Sequence, residues 1–150
     1  MTASDGRQGQ GAGTPVPRSA SSVPAAGLPD YAELRCVSTF SFLVGASQPE
    51  ELVERAHKQG YCALALTDEC SVAGVVRAHV AAKKIDLKLL IGSQFSVAAP
   101  ESDGGESPGP FSLGVLACNM DGYGNLCEFI TKLRRASEKG TYHLDLGDIA

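Results

Sequence analysis

Tyr61-Cys-Ala-Leu-Ala-Leu66 is an uninterrupted apolar run that ends on Thr67-Asp68-Glu69. A strand with one face in water alternates apolar and polar residues, whereas a run with no polar member has to be covered on both faces. The place for such a strand is the interior of a parallel sheet, and parallel neighbours are joined by crossovers, usually helices. Helical patterns stand on both sides. Upstream, Ser47 lies three residues before Glu50, a capping-box spacing, and Pro49 suits a first turn. Leu52, Val53 and Ala56 form an apolar stripe, Glu51/Arg55 and Glu54/Lys58 are favourable i, i+4 pairs, and Gly60 supplies the stop. Downstream, residues 72–84 predict a second helix with Val72, Val75, Val76, His79 and Val80 facing inward.

The rest of the chain continues the alternation. Tyr31, Glu33, Arg35 and Val37 alternate with Ala32, Leu34 and Cys36, which predicts a short strand ending near Val37, then a turn with Gly45. A third strand at 88–97 precedes a long Pro-, Gly-, Ser- and acid-rich loop from Pro100 to Pro110. A fourth strand at 111–118, a helix at 123–137 carrying Leu126, Ile130 and Leu133, and an extended piece at 141–146 follow. The order predicts an α/β fold built on a parallel sheet or barrel, with nothing to close the sheet. Residues 1–27 hold almost no large apolar side chains and predict a disordered tail, leaving 28–150 as the folded part.

With a formal net charge of -4, the chain has no global attraction to a phosphate backbone, so DNA binding by these residues alone is not expected. No apolar window approaches the roughly 18 residues of a membrane span, and no secretory leader opens the chain, which makes a cytoplasmic location the expectation. Cys36, Cys62, Cys70, Cys118 and Cys127 form no Cys-x-x-Cys pair; reduced structural thiols are expected, with Cys62 and Cys118 buried in apolar runs.

In α/β folds of this kind, reactive groups gather beyond the carboxyl ends of the strands, here around 35–37 and at Asp68-Glu69. The run Glu33-Leu-Arg-Cys-Val-Ser-Thr-Phe-Ser-Phe-Leu-Val-Gly45 resembles the first motif of polymerase-and-histidinol-phosphatase (PHP) domains, and Ala63-Leu-Ala-Leu-Thr-Asp-Glu69 resembles the second. Ala73-Gly-Val-Val76, Lys88-Leu-Leu-Ile-Gly92, Gly122-Tyr-Gly-Asn-Leu-Cys127 and Lys139-Gly-Thr-Tyr142 continue the likeness to the PHP domains of bacterial C-family DNA polymerases. Thr67-Asp-Glu-Cys-Ser71 and Val75-Val-Arg-Ala-His-Val-Ala-Ala82 are most similar to the error-prone branch of that family, which serves translesion synthesis.

The resemblance implies the first half of a distorted (β/α) barrel, incomplete in these residues. It also implies a family metal cluster whose first motif supplies His-x-His and whose second supplies Asp-His. Here Arg35 and Val37 occupy the two histidine positions, Asp68 the aspartate and Glu69 the last histidine. Valine has no donor atom, and arginine is a permanent cation without a lone pair. At ~4 Å and an effective dielectric near 20, each unit of ion charge would meet about 4 kcal/mol of repulsion from that cation. The expectation is therefore no catalytic, metal or cofactor site in this chain, with Asp68 either paired to Arg35 or capping a helix. Glu69 is expected to be a solvated loop acid, His57 solvent-exposed, His79 a packing residue and His143 without a partner. Arg134-Arg135 are expected on an exposed helical face, and Gly45, Gly122 and Gly124 in turns.

By this resemblance the parent function is DNA-directed DNA synthesis, with Mg2+ held in a polymerase domain outside these residues and the present residues acting as scaffold. The implied partners are the rest of the polymerase chain and other lesion-bypass proteins, with DNA reached only through the full-length protein. Two alternatives stand beside this reading: a small PHP-type metal-dependent phosphoesterase, and a non-catalytic protein-interaction module.

Overall fold

The computed structural model describes residues 30–98 and 109–149. The tail expected at 1–27 and most of the Pro100 to Pro110 loop lie outside the described residues. Four strands, β1 (Ala32–Cys36), β2 (Ala63–Leu66), β3 (Lys88–Val97) and β4 (Phe111–Leu116), form one sheet in the order β1-β2-β3-β4. Helices α1 (Pro49–Lys58) and α2 (Val75–Ile85) are the crossovers linking β1 to β2 and β2 to β3. Helix α3 (Met120–Ala136) follows β4, and a single 3-10 turn at Leu146–Ile149 ends the described chain.

The expected all-parallel sheet needs one correction. β1, β2 and β3 are parallel, but β4 runs antiparallel to β3, with Gly92 opposite Leu116 and Val97 opposite Phe111. A parallel pair needs a crossover, usually a helix, whereas an antiparallel neighbour does not, and among the described residues no helix lies between β3 and β4. The sheet is thus mixed, open and curled, with β2 in its interior. Ala63, Leu64, Ala65 and Leu66 are at most 5% exposed, as the unbroken apolar run requires.

Two apolar clusters hold the layers together. Val53 of α1 and Val75, Ala78 and Ala82 of α2 pack on Leu64 and Leu66. Phe95 and Val97 of β3 pack with Leu126 and Leu133 of α3 and with Leu144, and the Phe95 and Phe129 rings meet edge to face at 5.3 Å.

Several local expectations shift. The cap of α1 is Gln48, not Ser47, and Glu51, not Glu50, is its reciprocal partner, at 2.8 Å from the Gln48 N–H. Pro49 is the cause, because its fixed φ suits the first helical position and places the cap one residue before it. The Ser47 carbonyl instead accepts from Thr39 N–H at 2.9 Å.

Helix α2 starts at Val75 rather than 72 and buries Val75, Ala78 and Ala82, so Val76, His79 and Val80 face out. Close helix packing selects Val75 with the small Ala78 and Ala82, and Val76 and Val80 are left outside. Helix α3 begins at Met120, where Asn119 Oδ1 accepts from Gly122 N–H at 2.8 Å, so Gly122 and Gly124 are helical rather than in turns. Residues 141–146 form no strand, although the Leu144 carbonyl accepts from Ala98 N–H at 2.9 Å. Cys62 and Cys118 are exposed, because each sits at a strand end, and the buried thiol is Cys70.

Candidate functional site

β1 and β2 deliver their carboxyl ends side by side, and the chain beyond them is held by short polar side chains. Thr67 N–H and its hydroxyl donate to the Cys36 carbonyl at 2.7 and 3.2 Å, while Cys36 N–H donates to Thr67 Oγ1 at 3.0 Å. On the other side, Gln94 N–H and the Ser93 hydroxyl donate to the Asp68 carbonyl at 3.1 and 2.7 Å. Asp68 is thereby fixed in the middle of the sheet's rim, 1% exposed.

Its carboxylate accepts three hydrogen bonds. Ser38 N–H and the Ser41 hydroxyl donate to Oδ1 at 2.7 Å each, and the Ser38 hydroxyl donates to Oδ2 at 2.8 Å. The two serines are themselves tied in: Ser41 Oγ accepts from Glu69 N–H at 2.9 Å, and Ser38 Oγ accepts from Phe40 N–H at 3.2 Å. Asp68 is therefore the pin of the loop that joins β1 to α1. The same loop closes tightly on itself, with Ser41 N–H donating to the Ser38 carbonyl and Gly45 N–H to the Ser41 carbonyl, both at 2.9 Å. A side chain at Gly45 would place its Cβ 1.9 Å from the Ser38 carbonyl oxygen, so only glycine fits. Phe42, Leu43 and Val44 at its tip are exposed, with Leu43 at a φ of 63°.

The ion pair expected between Asp68 and Arg35 does not form, and Asp68 caps no helix; it holds the 38–45 loop. The Arg35 guanidinium turns instead to β3, where Nε donates to Gln94 Oε1 at 2.9 Å. Val37 is half-buried beside the serine turn.

Glu69 is not a solvated acid. It is half-buried, and its carboxylate accepts from the Tyr142 hydroxyl and from the Ser96 hydroxyl, the latter at 3.3 Å. Burial, and then the bond to Glu69, raise the Tyr142 hydroxyl above the ordinary tyrosine range. The Cys36 thiol is pushed up to about 11, first by burial and then by the charges of Glu33 and Asp68.

Sequence reasoning missed Arg134. It is half-buried, and its guanidinium donates to the carbonyls of Cys70 at 3.4 Å, Glu69 at 3.5 Å, and Gly140 and Thr141 at 3.3 Å. It also lies 5.4 Å from the centre of the Tyr142 ring. The signal was present: Arg134 falls four residues after Ile130, on the buried stripe of α3, whereas Arg135 is exposed as expected. His57 is exposed as expected, His79 is exposed rather than packed, and His143 has a partner after all in Asp145, at 3.2 Å.

The donor set does not suit a metal cluster. Val37 offers no atom, Arg35 is a cation, both oxygens of Asp68 are engaged by serines, and Glu69 is engaged by Tyr142 and Ser96. Among the described residues, no three His, Cys, Asp or Glu side chains are grouped so as to hold a metal ion.

Comparison with known proteins bears on the family. The family model described as "PHP domain" matches residues 33–148. Over 125 residues the chain is 58% identical to an error-prone DNA polymerase of Ralstonia nicotianae, covering 83% of this chain and 11% of that protein. Over 119 residues it is 57% identical to an error-prone DNA polymerase of Burkholderia mallei, covering 78% of this chain and again 11% of that one. The chain thus spans about one-ninth of the length of these relatives. Among solved structures, an amidohydrolase from Chromobacterium violaceum with bound sulfate and no metal superposes with a TM-score of 0.53 at 26% identity, over 70% of this chain and 34% of its own. The chain belongs to the PHP-domain family.

Proposed function

We propose that this chain serves as the N-terminal part of the PHP domain of an error-prone DNA polymerase and contributes scaffold rather than hydrolysis. The observation that supports this reading is the state of Asp68, whose two carboxylate oxygens receive three hydrogen bonds from Ser38 and Ser41. In an active metal site such a carboxylate presents its lone pairs to an ion; here it fixes a loop. Identity above 55% to proteins named error-prone DNA polymerase supports the parent function. On that reading the polymerase chemistry, its Mg2+ and its DNA contacts belong to the longer protein. The partners are the rest of that chain and other lesion-bypass proteins, and the setting is the cytoplasm.

Calorimetric titration of the chain with manganese and zinc tests the scaffold role, alongside hydrolysis of a chromogenic phosphate ester in the presence of each ion. The expected result is no stoichiometric binding and no hydrolysis above the buffer rate. Stoichiometric micromolar binding that disappears in Asp68→Ala, or ester hydrolysis with the same dependence, would instead make the domain a metal-dependent phosphoesterase.

A further inference from the structure

Residues 139–144 form neither helix nor strand, yet they are strapped down along their length. At the near end Gly140, at a φ of 94°, turns the chain away from α3, and Thr141 N–H donates to the Glu138 carbonyl at 3.0 Å. At the far end Leu144 is buried in the cluster of Phe95 and Val97, and its carbonyl accepts from Ala98 N–H. Between these points the fastening passes through one side chain. The Tyr142 hydroxyl donates to the Glu69 carboxylate and accepts from Ser96 N–H at 2.6 Å. Arg134 adds only long contacts to the Gly140 and Thr141 carbonyls, at 3.3 Å each.

Glu69 also reaches the other way. Its backbone N–H donates to Ser41 Oγ at 2.9 Å, and that same hydroxyl donates to Asp68 Oδ1. The backbone of Glu69 therefore holds the 38–45 loop while its carboxylate holds the strap. A hollow of about 420 Å³ lies between the two, with Phe40, Phe42 and Val44 on the loop side and Gly140, Thr141 and Tyr142 on the strap side. The next residue, Cys70, has a φ of 45°. That conformation is costly for a residue with a Cβ and persists only where its surroundings enforce it. Here Cys70 N–H donates to the Gln94 carbonyl at 2.9 Å and its own carbonyl accepts from Arg134 at 3.4 Å.

We infer that Glu69 couples the 139–144 strap to the 38–45 loop, so that releasing the strap loosens the loop. A half-buried carboxylate that loses its tyrosine donor is better solvated by turning toward water. The strained backbone at Cys70 lets that movement reach the peptide unit of Glu69, whose N–H is the one that Ser41 Oγ accepts. The two segments thus share a single element that each of them biases, which is the physical content of coupling between separate sites. This coupling is independent of the scaffold role, because it uses neither a metal nor a substrate.

Amide hydrogen exchange of the whole chain, followed residue by residue by NMR, tests the coupling. Tyr142→Phe keeps the ring beside Phe95 and removes only the hydroxyl. Exchange at Thr141 and Ala98, which report the strap, should speed up about tenfold. Exchange at Ser41 and Gly45, which report the loop, should speed up at least about threefold. Ala56, buried in α1, should keep its rate, which separates local opening from a general loss of stability. In a Glu69→Ala background the tyrosine change should no longer alter Ser41 or Gly45, because the link is already cut. Faster exchange confined to the strap makes the two segments independent and overturns the coupling. An unchanged strap overturns it as well, as does an equal rise at Ala56. An undiminished loop effect in the Glu69→Ala background would route the coupling across the hollow and remove Glu69 from it.

Discussion

Replacing Asp68 by alanine removes the acceptor of three hydrogen bonds and leaves Ser38 N–H and two serine hydroxyls to find other partners in a buried space. Hydrogen bonds to an ionised group contribute about 1.5–3 kcal/mol each. Their simple sum overstates the loss, because the carboxylate's own desolvation cost disappears with it. Breaking a buried charged network typically costs about 3–5 kcal/mol, and that is the expected destabilisation of Asp68→Ala. Against a typical domain stability of about 5–15 kcal/mol, the change is large enough to read directly in urea unfolding. Asp68→Asn separates shape from charge. Its Oδ1 can still accept from Ser38 N–H and Ser41, while its amide faces a Ser38 hydroxyl that must rotate to accept, so about 1–2 kcal/mol is expected. An alanine variant within about 1 kcal/mol of the parent would refute the pinned-loop argument. An asparagine variant as damaging as alanine would show that the negative charge itself, and not the serine geometry, carries the effect.

Gly45→Ala should destabilise by about 2 kcal/mol or more, because its Cβ would stand 1.9 Å from the Ser38 carbonyl oxygen; Gly114→Ala, with no atom within 4 Å of the added Cβ, is the near-neutral control in the same urea series. Arg134→Ala should cost about 2 kcal/mol, and an unchanged urea midpoint would show that its long carbonyl contacts contribute nothing. Exposed Cys62 and Cys118 should alkylate with iodoacetamide at pH 8 well before Cys36, as read by peptide mass mapping, since the Cys36 thiol is held up at about 11. The folded state keeps that proton while the unfolded chain releases it near 9.0, so this contribution to stability is full below pH 9 and is lost as pH rises through about 11. Glu50 is the opposite case: the hydrogen bond from Arg77, then a backbone hydrogen bond, lowers the carboxyl below 4.5, and Arg77→Ala should return its NMR titration midpoint upward.

The element order and the position of Asp68 were legible because both follow from one short stretch. An unbroken apolar run must be a strand covered on both faces, and the residue after it must stand at the sheet's carboxyl rim. What Asp68 does there was not legible. Its partners depend on how residues 38–45 fold back, and that path depends on a positive φ at Leu43 and a close approach at Gly45 rather than on hydropathy. The charges of Arg35 and Asp68 suggested attraction, but geometry gave Arg35 to Gln94 and Asp68 to two uncharged serines. The face of α2 was misread for a related reason: valine outranks alanine in hydropathy, yet a crossover helix that packs closely needs the smaller side chain inward. The direction of β4 was open in the sequence, since strand patterns carry no direction and only the absence of an intervening helix hinted at it.

The pairing of β3 with β4 also bears on what can be built into this chain. The last pair of their ladder sets Val97 against Phe111, so the two ends of the intervening stretch, residues 98–110, are already fixed side by side. A connector whose ends are held by its own ladder can change in length without pulling on the strands, and each doubling of length costs only about 0.6 kcal/mol in closure entropy. The Asp68 pin meets β3 at Ser93 and Gln94, on the side of that strand away from β4. A peptide tag, a fluorophore site or a whole folded module inserted between Val97 and Phe111 should therefore leave the serine loop intact. That makes this joint an engineering port into a longer protein that can be opened without disturbing either terminus.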